Sequence, residues 1–105
     1  MTSMACWNCH GSDVTGTRDA TGEDVAPYEL FQATMMANAA RDPLWRAEIS
    51  VEIAATPSLA STIENKCLGC HAPEGIEDAA EHGELLTLAD LEGNSPRTQL
   101  ALDGV

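Results

Sequence analysis

Cys67-Leu68-Gly69-Cys70-His71 repeats the pattern of Cys6-Trp7-Asn8-Cys9-His10, and these two segments hold all four cysteines of the chain. Two thiols three positions apart, followed at once by a histidine, have the spacing of covalent haem attachment. Each thiol can add to one of the two vinyl groups along a haem edge, and the adjacent imidazole then reaches the iron from the proximal face. The pattern nominates Cys6, Cys9, Cys67 and Cys70 as attachment points for two haem c groups, with His10 and His71 as ligands to their irons. Two C-x-x-C pairs could also make one four-thiolate zinc site or two disulfides, and a lone pair could be a thiol redox motif. None of these accounts for a histidine directly after both pairs.

The rest of the composition agrees with a bulky cofactor in the core. The chain has 105 residues, room for a single domain spanning 1–105, and its only aromatic residues are Trp7, Tyr28, Phe31 and Trp45. Much of its 44% hydrophobic content is alanine. Small domains so poor in large side chains close their cores with disulfides, metals or cofactors. Acidic residues number 17 against 5 basic ones, a formal charge of −12. That excess argues against nucleic acid and anionic membranes as partners and suits a basic redox partner protein, although an acidic surface also serves plain solubility. No apolar run is long enough for a membrane-spanning helix. Haem attachment of this kind takes place outside the cytoplasm, so an exported, periplasmic or extracellular protein is expected.

The pattern along the chain predicts a mostly α fold, with short helices and abundant coil wrapped around the two haems. Residues 2–26, rich in Gly, Ser, Thr and Asp, read as loop around the first haem. Pro27 opens a predicted helix carrying Tyr28, Phe31, Met35 and Asn38 at helical spacing as far as Asp42-Pro43. A second helix is predicted over Pro43–Ala55, capped by Asp42, with Trp45, Ile49 and Ile53 on one face. Thr56-Pro57 repeats the device, and a third helix with Leu59, Ile63 and Cys67 on one stripe ends on the second haem motif. Residues 72–83 read as loop or a short acidic helical piece, and residues 87–91 and 95–100 as short capped helices.

Four axial positions must be filled, and the chain has three histidines. With His10 and His71 proximal, His82 is the one remaining imidazole. At least one haem must take a methionine, stay open or borrow a ligand. Met35 and Met36, among alanines that would admit a flat ring, are the favoured thioether candidates, ahead of Met1 and Met4 near the terminus. Ordinary core filling is the competing role for a helical methionine, and solvation for His82 between Glu81 and Gly83.

The segment Met35-Met36-Ala37-Asn38-Ala39-Ala40-Arg41-Asp42-Pro43, followed later by Cys67-Leu68-Gly69-Cys70-His71-Ala72-Pro73, resembles bacterial periplasmic and outer-surface multihaem c-type cytochromes. The resemblance covers nearly the whole chain. It implies electron transfer through closely spaced haems, and it carries over to the two Cys-x-x-Cys-His motifs, to Met35 and Met36, and not to His82. In that family an Asp-Gly-Val segment such as 103–105 leads into another haem motif. A longer protein is therefore expected, with further haem-bearing segments or subunits supplying a missing ligand.

Electron transfer without substrate turnover is thus the leading expectation. The alternative is a haem enzyme or gas sensor in which one haem has an open or weakly held sixth position. No distal His/Arg pair accompanies either motif, and Arg41 and Arg46, the nearest cations, read as surface or haem-propionate partners.

Overall fold

The computed structural model describes residues 2–12 and 17–104. Met1, residues 13–16 of the expected N-terminal loop, and Val105 at the end of the expected lead into a further motif lie outside the described residues. Every regular element among the described residues is helical, and Arg18 and Asp24 form an isolated antiparallel bridge. The mostly α expectation holds. The molecule is a slab of 55 × 29 × 20 Å, about two helix diameters thick.

Helices α3 (Pro43–Ala55) and α4 (Ala60–His71) form a hairpin. Asp42 Oδ1 accepts the Leu44 N–H at 2.9 Å and Pro43 fixes the first turn, so α3 starts where the sequence predicts. Pro57 stops it and begins a single 3₁₀ turn, Pro57–Leu59, that leads into α4. Leu68, inside the second Cys-x-x-Cys-His motif, is completely buried. Burying a leucine side chain contributes about 2 kcal/mol.

Pro73 then starts α5 (Pro73–Glu81), so the expected loop or short helical piece is a helix, and α5 packs on α6 (Pro96–Ala101). The two approach so closely that a Cβ on Gly75 would lie 2.6 Å from Ala101 Cβ. Between them a 3₁₀ turn, Leu88–Leu91, is held by a Thr87/Asp90 capping box, and Ser95 Oγ caps α6 by accepting the Thr98 N–H at 3.0 Å. The core is Ala40, Leu68, Ala72, Ala79, Leu86, Leu91 and Ala101, with Trp45, Ile76, Leu88 and Leu102 at its edge.

Two expectations are corrected. The predicted helix from Pro27 to Asp42 stops early: α2 spans Pro27–Gln32, and turns follow until the 3₁₀ segment Ala39–Arg41. Side chains take the backbone groups that a longer helix would need. Thr34 Oγ1 donates to Phe31 O at 2.7 Å, and Asn38 Nδ2 donates to Gln32 O at 3.0 Å and Thr34 O at 2.9 Å. The second correction lies at the N-terminus, where the expected loop contains a 3₁₀ turn, Ser3–Cys6, running straight into α1 (Trp7–His10).

The ends of the chain are tied together. Asp103 accepts from both the backbone N–H and the hydroxyl of Ser3, and Gln32 Nε2 reaches the same hydroxyl at 3.3 Å. Gly104, at φ 94°, lies so close to Met36 and Ala37 that a Cβ would come within 2.6 Å of their backbone.

Candidate haem-attachment sites

The second motif closes α4. Cys67 and Cys70, three positions apart on one helix, share a face, Cys67 half-buried and Cys70 exposed. His71 is the last residue of α4, and its ring stacks flat on Trp45 from the first turn of α3, with centroids 4.2 Å apart and planes 7° apart. His71 Nδ1 lies 3.2 Å from the carbonyl oxygen of Ala39. A carbonyl can only accept, so Nδ1 donates this bond, and in the neutral ring Nε2 is the nitrogen with the lone pair. A histidine that ligates a metal through one nitrogen is held in this way through the other.

The first motif sits on the Ser3–Cys6 turn and α1. Cys6, Cys9 and His10 are all exposed. Cys6 and His10 open on a cavity of about 500 Å³, whose far wall is Pro27, Tyr28 and Phe31 from α2 and Glu74 from α5. That volume is in the range of small-molecule and cofactor sites. Glu29 on α2 fastens the chain after α1 by accepting the Ser12 N–H and hydroxyl, each at 3.0 Å. The Ser12 N–H holds the Glu29 carboxyl below the usual carboxylate range.

Each motif brings together the donor set that covalent haem attachment uses, two thiols and an imidazole. All four thiols are free of disulfides, and among the described residues no group of three or more His, Cys, Asp and Glu converges in the manner of a metal-ion cage. The two C-x-x-C pairs therefore remain separate, each with its own histidine.

The candidates for the sixth positions are dispersed. Met35 is 84% exposed, in a turn beside a recess formed with Asn38, Arg41, Asp42 and Pro43. Met36 is exposed in the same turn. His82, just beyond α5, is exposed and points Nδ1 at Asp78 O, 2.7 Å away. None of the three lines the cavity at Cys6 and His10. Met4, also exposed, has its sulfur 3.8 Å from the Tyr28 hydroxyl. Arg46 is engaged: Nε donates to Ala40 O at 2.9 Å and Nη1 pairs with Glu92 at 2.8 Å. Arg41 is exposed.

Two neighbours of the motifs escape the sequence reading. Trp45 is placed correctly on the inner face of α3, but nothing in the spacing pairs it with His71. Glu74 looks like one more acid in an acidic chain.

Comparison with family models, with curated proteins and with solved structures finds no match. No helix among the described residues is long and apolar enough to cross a membrane.

Proposed function

We propose that this chain is an electron-transfer protein carrying two covalently attached c-type haems, one on Cys6, Cys9 and His10 and the other on Cys67, Cys70 and His71. The observation that carries the reading is the setting of His71. Its ring is clamped on Trp45, its Nδ1–H is committed to Ala39 O, and its Nε2 is left as a ligand nitrogen directly after two free thiols. At the first motif the Ser3–Cys6 turn and the one-turn helix after it carry the same three groups in the same order.

When bound, haem supplies the one-electron chemistry of its iron. The chain's own part is to hold each ring by two thioether bonds, to fix the proximal imidazole, and to cover ring faces with Phe31, Tyr28 and Pro27. The charge of −12 favours the oxidised state and draws a basic redox partner, less strongly as salt rises. Maturation outside the cytoplasm and continuation of the electron path into further haem-bearing segments or subunits belong to the same proposal.

The cavity at His10 favours a second reading. None of Met35, Met36 and His82 lines it, so the first haem would be open to a small external ligand, as in a haem enzyme or gas sensor. Absorption spectra of oxidised and reduced protein, with and without carbon monoxide, test both. Two reducible haems indifferent to carbon monoxide support electron transfer alone, a shift on carbon monoxide addition supports the open site, and absence of haem bands defeats both.

A further inference from the structure

Glu74 is the second residue of α5, three residues past His71, and its side chain lines the far wall of the cavity that holds Cys6 and His10. Its Oε2 is fully buried and has no hydrogen-bond partner in the structure. A buried carboxyl oxygen left unpaired destabilises the fold, more so when the group is charged. A carboxyl placed in this way, one oxygen unpaired and its side chain in the cavity wall, has a use when the charge in the cavity changes.

We propose that Glu74 is the proton-coupled group of the first haem, taking up a proton from solvent as the iron takes an electron and releasing it on oxidation. The inference rests on the haem reading of Cys6, Cys9 and His10. The electron comes from the redox partner and the proton from water, so a reduced, protonated site replaces an oxidised, ionised one with no net change of charge in the cavity.

The surroundings of Glu74 agree. Burial first, and then the Asp103 carboxylate from the segment after α6, push its carboxyl above the ordinary value of 4.5. The start of α5 itself pulls the other way. From α1 the cavity receives His10, from the Ser3–Cys6 turn Cys6, and from α2 Tyr28. On its own helix, Glu77, Glu81 and Asp78, the last paired with Arg97, share the adjoining groove with Glu74. The oxidised iron is the more positive state, so it stabilises the Glu74 anion, and reduction removes that stabilisation. The carboxyl is therefore more acidic with oxidised haem than with reduced haem. The potential falls as pH rises between the two values and is flat outside them.

Redox titration of the haem-loaded protein from about pH 4.5 to 9 covers the range of a carboxyl raised by burial. One of the two potentials should fall with pH, the redox equilibrium changing by up to tenfold per pH unit, about 59 mV for one electron. Glu74→Gln should abolish that slope and leave the potential near its low-pH plateau, whereas Glu77→Gln should keep it. A reduced-minus-oxidised infrared spectrum of the wild-type protein reads the same event without a variant, as the gain of a protonated carboxyl band on reduction. Potentials independent of pH, a slope that survives Glu74→Gln, or no carboxyl band would overturn the inference while leaving the haem reading intact. Bare chain in the intact mass would instead overturn the haem reading beneath it.

Discussion

Trp45 and His71 are ring to ring, 4.2 Å between centroids and 7° from parallel, although one begins α3 and the other ends α4. The stack joins the two ends of the helical hairpin at the one residue of the second motif that must not rotate. A flat aromatic pair contributes about 0.5–1.5 kcal/mol beyond its buried area. Trp45→Ala should therefore lower the denaturation midpoint more than Trp45→Phe, which keeps a ring against the imidazole. Trp45→Ala should also alter the potential of one haem, the readout that separates positioning of His71 from simple packing. Equal effects of the two substitutions on both measurements would show that the stack is incidental.

Leu68 lies between the two cysteines of the second motif and is completely buried, whereas Met35 is 84% exposed. Leu68→Ala should cost about 2–5 kcal/mol. Met35→Ala should change stability by less than about 0.5 kcal/mol. Urea unfolding of the haem-loaded variants measures both, and a large loss for Met35→Ala would identify it as a haem ligand.

Acid and neutral pH act oppositely on two carboxyls. Arg97 Nε donates to Asp78 Oδ2 at 2.7 Å and holds the Asp78 carboxyl below its usual 3.8. A carboxyl with a depressed folded value adds stability that is present above its unfolded value and lost as pH falls through the folded one. Arg97→Gln should thus destabilise the protein at neutral pH and flatten the acid limb below about pH 4.

Glu74 has the reverse sign. Its raised value means that ionisation disfavours the folded state above the folded value, and the penalty fades as pH falls towards 4.5. Glu74→Gln should be more stable than the wild type at neutral pH, with the difference vanishing near the ordinary carboxylate value. Thermal unfolding of both proteins at several pH values checks it, and a less stable Glu74→Gln at neutral pH would contradict the reading of a half-buried acid with one unpaired oxygen.

Much of the fold was legible because prolines punctuate it. Asp42-Pro43 and Thr56-Pro57 set both ends of α3, and Ser95-Pro96 set the start of α6. The helix expected from Pro27 failed because its apolar spacing continues past Gln32, while Thr34 and Asn38 spend their side chains on the carbonyls of that turn. At the candidate sites, the covalent half was local and therefore readable, since two thiols and a histidine must be neighbours in sequence. The supporting half is contributed by distant segments. Trp45 and the Ala39 carbonyl at His71, and Phe31 and Glu74 beside His10, meet only through the fold, and no periodicity links them. Asp103 bonding Ser3 is the same case at the scale of the whole chain.

The most direct test of the account is the intact mass and iron content of the protein after denaturation, when it has been matured where haem can be attached. Thioether bonds survive unfolding, so the account predicts one species carrying two haem groups and two irons, reduced to one haem by replacing Cys67 and Cys70 together with serine. A denatured chain without haem, or one whose bound metal is zinc, would contradict it.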